Sequence, residues 1–155
     1  MEIVSRSDWG ADPESLPEIK MRLPATEVFI HHSVTPVTNN PAADIRVVEG
    51  VGVKKYSHLP YSYLIPPRNG EIFEGAGTRR GAHTAQKNST SFGICWVGNY
   101  EQRAPKVQQL DSTRWLIREL VHRGHLIAGA RISGHRDTGF ATACPGQKLY
   151  DVLDA

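Results

Sequence analysis

Two side chains that bind zinc well, the imidazole of His135 and the thiol of Cys144, stand nine residues apart in Gly134-His135-Arg136-Asp137-Thr138-Gly139-Phe140-Ala141-Thr142-Ala143-Cys144-Pro145-Gly146. Pro145 and Gly146 stiffen the turn behind the thiol. A third donor is expected at His31, one of two adjacent histidines in the apolar run Val28-Phe29-Ile30-His31-His32-Ser33. Successive side chains of a strand point to opposite faces, so His31 and His32 cannot both reach one metal without distortion. Three protein ligands leave one zinc position open for water, which is the arrangement of a hydrolytic site rather than of a closed structural one. Zinc held this way would bring the pKa of its water down to about 7 and would polarise a scissile carbonyl. The plain alternative is two hydrogen-bonded core histidines and a small buried cysteine, the commoner fate of each residue type taken singly.

Such ligands need a scaffold to bring them together. Residues 1–26, with Pro13, Pro17 and Pro24, read as an extended arm laid over the rest and anchored by Trp9. Val28 to His32 is a short strand, and Asn40-Pro41 offers an N-cap followed by proline in the first turn of a helix. Ile45, Val48 and Val51 or Gly52 give that helix an apolar stripe, while Gly50 and Gly52 weaken its second half by roughly 1 kcal/mol each. Tyr61 to Ile65 and Glu71 to Glu74, joined through Arg68-Asn69-Gly70, read as a hairpin. Ser91 to Val97 suits a central strand buried on both faces. The longest helix is expected from about Lys106 to Arg123, with Leu110, Trp115, Ile117, Leu120 and Val121 on its apolar face and Gly124 as its stop. Arg131-Ile132-Ser133 would be a last short strand delivering His135, and Lys148 to Leu153 a closing helical turn or two. The pattern is that of an α/β fold, a single domain with a central mixed β-sheet flanked by helices.

At 155 residues and 39% hydrophobic composition, the chain is the size of one domain that can bury its core without disulfides. A net charge of +2 is too small to argue for nucleic acid. No stretch approaches the ~18 apolar residues of a membrane span. Met1-Glu2-Ile3-Val4 followed by Ser5-Arg6-Ser7-Asp8 lacks the apolar core of a signal peptide. The expectation is a soluble monomer without an export signal of its own and without a nucleic-acid or membrane partner. With Cys144 assigned to metal, Cys95 in Ile94-Cys95-Trp96-Val97 is expected reduced and buried in a strand. A disulfide between Cys95 and Cys144 is the competing reading, and it would remove the thiolate ligand.

Seven blocks, in order along nearly the whole chain, carry a family resemblance: Ser7-Asp8-Trp9-Gly10-Ala11, Ile30-His31-His32-Ser33, Pro60-Tyr61-Ser62-Tyr63-Leu64-Ile65, Gly81-Ala82-His83-Thr84, Asn88 with Ser91-Phe92-Gly93-Ile94, Val97-Gly98-Asn99-Tyr100, and Gly134-His135-Arg136-Asp137 through Cys144-Pro145-Gly146. The chain resembles the zinc amidases that include phage lysozyme-type N-acetylmuramoyl-L-alanine amidases and the peptidoglycan recognition proteins. The resemblance implies a peptidoglycan-recognition-protein-like fold, with the arm at 1–26, a zinc amidase domain over 27–155, and Zn2+ on His31, His135 and Cys144. It places Tyr61 as the active-site tyrosine, a hydrogen-bond donor to the oxyanion or an orienter of the zinc water. His32 is left a structural part or a group that supports the ligands from behind.

Thr142 stands where phage enzymes of this family carry a catalytic lysine and amidase-active recognition proteins carry threonine. The nine-residue step from His135 to Cys144 is one longer than in the members compared, with Gly139 the place to absorb the extra residue. Cys95 occupies the position of a glutamate in wall-recycling amidases, which argues against that subgroup. His83 and Asn88, with Arg79 or Arg80, resemble the wall of a groove for a muropeptide. The implied activity is hydrolysis of the amide between N-acetylmuramic acid and L-alanine in bacterial peptidoglycan, at the cell wall. The implied setting is the catalytic domain of a phage endolysin released through a holin, or a domain cut from a larger secreted enzyme such as a bacterial autolysin. A peptidoglycan-binding module that does not cut is the rival, and the presence of Cys144 speaks against it because family members that only bind lack this ligand.

Overall fold

The computed structural model describes residues 1–153. Strands β2 (Ala25–His32), β5 (Ser91–Trp96) and β6 (Leu126–Gly134) run parallel, and β3 (Tyr63–Ile65) lies parallel to β5. Strand β4 (Ile72–Glu74) returns antiparallel to β3, and β1 (Ile3–Val4) adds an edge parallel to β4. The six make one mixed sheet in the order β1-β4-β3-β5-β2-β6.

Every residue of β5 is buried, as its continuous apolar run requires of a parallel strand covered on both faces. Helix α2 (Pro41–Tyr56) supplies Ile45 and Val48 to one face, where they pack with Leu59, Leu64, Phe73 and Cys95. Helix α3 (Val107–His122) supplies Leu116 and Leu120 to the other, against Ile30, Ile65, Ile94 and Trp96. Alternation along β2 therefore sends Ile30 toward α3 and His31 toward the α2 side.

The start of α2 follows its local chemistry: the Asn40 carboxamide accepts from the Ala43 amide, and Pro41 occupies the first turn. The helix continues through both glycines to Tyr56 because Gly52 is a packing position. A Cβ there would come within 2.4 Å of the Pro60 ring.

The arm is more structured than its prolines suggest. Besides β1, it carries two helical turns, α1 (Arg6–Trp9) and a 3-10 turn at Pro13–Ser15. Trp9 is 2% exposed and its indole donates to the Glu74 carbonyl at 2.8 Å. Buried Glu49 of α2 accepts from the Asp12 amide and the Ser15 hydroxyl, while the Arg6 guanidinium bonds Ser15, Asp12 and Gly75.

Two strands are longer than expected. β2 begins at Ala25 rather than Val28, and β6 at Leu126 rather than Arg131. The physical reason at β6 is its place at the sheet edge, where residues 127–129 face solvent and leave no alternating apolar signal. The closing helix α4 is the single turn Gln147–Tyr150.

Replacing Trp9 by alanine should lower stability by ~3–5 kcal/mol, read as a shifted urea midpoint. An unshifted midpoint would show that the arm is dispensable to the fold.

Candidate metal centre and its cleft

Neighbouring parallel strands end together, and this brings two of the three donors side by side. Pairing of Ile30 in β2 with Gly134 in β6 sets His31 beside His135, with ring centroids 4.8 Å apart. Cys144 returns through a loop held by the two residues after His135. The Arg136 amide donates to the Cys144 carbonyl at 3.0 Å and its guanidinium to the Ala143 carbonyl at 2.6 Å. The Asp137 carboxylate accepts from the Gly134 amide and from the Tyr150 hydroxyl. As a result the Cys144 Sγ lies 3.5 Å from His31 Nδ1, and one donor atom each from His31, His135 and Cys144 lies within 4.8 Å of the others.

The donor set fits zinc. Ligands at ~2.0–2.3 Å around one tetrahedral ion stand roughly 3.5 Å apart, so small side-chain shifts would complete the site. Burial pushes the His31 imidazole well below its ordinary pKa, helped by repulsion from His83, His135 and His32. Burial also lowers His135. Both rings are thus neutral, the form that coordinates metal. The Cys144 thiol is pushed up to about 11 by burial, against the pull of a backbone hydrogen bond at His32 and of the Arg136 charge. A cation at this point supplies what the thiolate lacks.

Both cysteines are free, so the disulfide reading falls; Cys95 is fully buried in β5, paired in register with His31. His32 turns to the other side of β2, where its Nδ1 accepts from the Tyr100 amide at 3.1 Å.

A cleft of about 420 Å³ opens over the donors and is lined by Tyr61, Thr142 and His83 as well. The Tyr61 ring stands 5.4 Å from that of His31. Burial holds its phenol well above the usual value, reinforced by Cys95 and Cys144, so Tyr61 is a neutral donor. The Thr142 oxygen accepts from the Cys144 amide at 3.2 Å, which leaves its O–H to donate elsewhere.

The three residues expected along a substrate groove are placed differently from one another. His83 reaches the cleft but is 5% exposed, with its Nδ1 3.2 Å from His31 Nε2. Asn88 is outside the lining, because its carboxamide oxygen accepts from the His83 and Thr84 amides and holds their turn. Arg79 lines another cavity, of about 680 Å³, and donates to the Glu18 carbonyl of the arm. Its isolated bridge with Lys20 fixes it there.

Sequence reasoning missed Thr84, whose hydroxyl lies 3.2 Å from His31 Nε2, and the cleft-lining pair Lys55 and Tyr56. The signal for Thr84 was its place beside His83. Lys55 and Tyr56 become visible only once α2 is known to run past its glycines.

An open three-donor site at the carboxyl edge of a mixed sheet defines the class, and the comparisons narrow it. Residues 21–147 match the N-acetylmuramoyl-L-alanine amidase family, and the chain belongs to it. A peptidoglycan recognition protein of Trichoplusia ni is 37% identical over 97% of this chain and 85% of its own length. Wild-type PGRP-LB of Drosophila superposes with a TM-score of 0.89 at 31% identity, covering 99% of this chain and 93% of that one. The ectodomain complex of peptidoglycan recognition proteins LCa and LCx, solved with tracheal cytotoxin bound, matches with a TM-score of 0.90 at 29% identity, covering 99% and 95%.

With both imidazoles neutral and the thiol protonated up to about 11, zinc uptake near pH 7 should release one proton, that of Cys144. Affinity should therefore rise about tenfold for each pH unit gained, and calorimetry in two buffers of different ionisation heat reads the proton directly. Cys144→Ser should remove that proton release and the rise in melting temperature on adding zinc. A pH-independent affinity would exclude the thiol from the site.

Proposed function

We propose that this chain binds bacterial peptidoglycan and hydrolyses the amide between N-acetylmuramic acid and L-alanine, using zinc held by His31, His135 and Cys144. The observation that carries the reading is the convergence of two neutral imidazoles and a thiol within 4.8 Å in an open cleft. Membership in the amidase family supports the bond, and the tracheal cytotoxin complex of relatives supports the ligand class. The site of action would be the bacterial cell wall. An endolysin setting requires that bond to be severed, whereas a wall-recognition setting requires only that the wall be bound.

When bound, zinc supplies a Lewis acid and a water made nucleophilic near neutral pH. The chain's own residues do the rest. Tyr61, kept neutral by burial, donates a hydrogen bond toward the oxygen that gains charge as the lactyl carbonyl is attacked. Thr142, in the lining of the same cleft, can donate a second, since its oxygen is already engaged by the Cys144 amide. Arg136 fixes the Cys144 turn through two backbone carbonyls, so the ligand and Thr142 keep their spacing. Lys55 and Tyr56 offer a cation and a ring at the cleft mouth, matched to the carboxylates and sugar faces of a muropeptide.

Binding without cleavage is the second reading, and the likeness to recognition proteins favours it. One digestion separates the two. Purified cell wall incubated with the protein should yield free L-alanine amines and intact muramoyl carboxylates by mass spectrometry, stopping with a chelator and resuming with zinc. Protein retained on the wall with no new amine would leave the binding reading alone. Tyr61→Phe should keep its zinc and lose about 10²-fold in turnover; equal rates would reduce Tyr61 to packing.

A further inference from the structure

We propose that His83 sets the tautomer of His31, holding its proton on Nε2 so that the Nδ1 lone pair faces Cys144 and the metal position. The inference rests on the zinc reading above for its consequence, but not for its geometry.

The Ser91 carbonyl behind His83 can only accept a hydrogen bond. His83 Nε2 lies 3.3 Å from the Ser91 carbonyl oxygen, so that nitrogen carries a proton. The ring is buried, and the partners it makes are the Ser91 carbonyl, the Thr84 hydroxyl and His31, none of them a carboxylate. A buried imidazole without an acidic partner is neutral, so His83 Nδ1 is bare and must accept. Nδ1 has two neighbours: the Thr84 hydroxyl at 2.9 Å and His31 Nε2 at 3.2 Å. The hydroxyl is also 3.2 Å from His31 Nε2.

Counting protons then decides the tautomer. If His31 Nε2 were bare as well, two lone pairs would share the single hydroxyl proton, and one buried nitrogen would go unsatisfied. With the proton on His31 Nε2, all three groups are satisfied. The Nδ1 of His31 is then the free lone pair, 3.5 Å from the Cys144 sulfur.

The surroundings are built to hold the His83 ring in this place. The Asn88 carboxamide accepts from both the His83 and the Thr84 amides at 2.9 Å and so fixes the backbone that carries the two side chains. Gly93 of β5 makes room for the ring, since a Cβ there would come within 2.3 Å of His83 Cγ. His83 and Asn88, read from the sequence as groove residues, thereby act behind the metal position as positioning residues. A metal-bound histidine whose other nitrogen is fixed by a hydrogen bond is held in tautomer and orientation, and loss of such a partner costs about 10- to 100-fold in affinity.

The test reads the tautomer without metal, by long-range 1H–15N correlation of 15N-histidine-labelled protein, and zinc affinity separately, by competition with a chromophoric chelator. Wild-type protein should show His31 as a single Nε2–H tautomer. His83→Leu should give a tautomer mixture and weaken zinc by about 10- to 100-fold. His83→Asn, which returns an acceptor near the position of Nδ1, should recover the Nε2–H form and most of the affinity. Gly93→Ala should mimic His83→Leu, although it removes no ring nitrogen.

A wild-type His31 protonated on Nδ1 overturns the proposal, as does a folded His83→Leu variant with unchanged tautomer and affinity. If His83→Leu fails to fold, the wild-type spectrum and His83→Asn still decide. Wild-type protein that shows the Nε2–H tautomer but takes up no zinc sinks the amidase reading and leaves the relay standing.

Discussion

A buried imidazole must have both ring nitrogens satisfied, and at His31 that demand organises the whole end of the sheet. One nitrogen faces His83 and Thr84, the other faces the sulfur of Cys144. Leaving either without a partner would cost about 1–3 kcal/mol, comparable to a sizeable part of the stability of a small domain. The polar cluster beneath the cleft therefore does two things at once. It makes burial of His31 tolerable, and it leaves one lone pair aimed at the place where the other donors arrive.

Those donors arrive because of topology. β2 and β6 are neighbouring parallel strands, so their carboxyl ends share one edge, and His31 and His135 stand there with no long side-chain reach required. Open parallel sheets commonly bind ligands at this edge. Cys144 needs more help, which comes from a short clip: Arg136 on the Cys144 and Ala143 carbonyls, Asp137 on Gly134 and Tyr150, and the Arg136 guanidinium 4.4 Å over the Tyr150 ring. The loop's freedom is spent on folding, so a metal meets donors already close together.

Electrostatics complete the picture. The site holds neutral rings and a thiol kept protonated by burial, with the Arg136 charge as the nearby cation that favours the thiolate. A divalent ion is the natural complement to such a set. The two hydroxyl donors, Tyr61 and Thr142, line the same cleft without carrying charge, which would suit stabilisation of the oxyanion of the proposed hydrolysis.

Much of this was legible in the residues themselves. The Asn40-Pro41 start of α2, the buried run of β5 and the apolar face of α3 each follow from interactions within a few residues, and short-range chemistry is written locally. The candidate ligands were legible too, because His31, His135 and Cys144 sit in motifs whose neighbours set strand and turn geometry. What the chain alone did not reveal depends on partners far away in sequence. Edge strand β6 hides its length because half its surface meets water, Arg79 is carried to a separate cavity by the arm, and Asn88 is consumed in holding one turn. Residue type and spacing determined which atoms could bind a metal. Only the packed sheet decided which nitrogen of His31 is free to do so, since that depends on a carbonyl, a hydroxyl and a second imidazole brought together across more than fifty residues of chain.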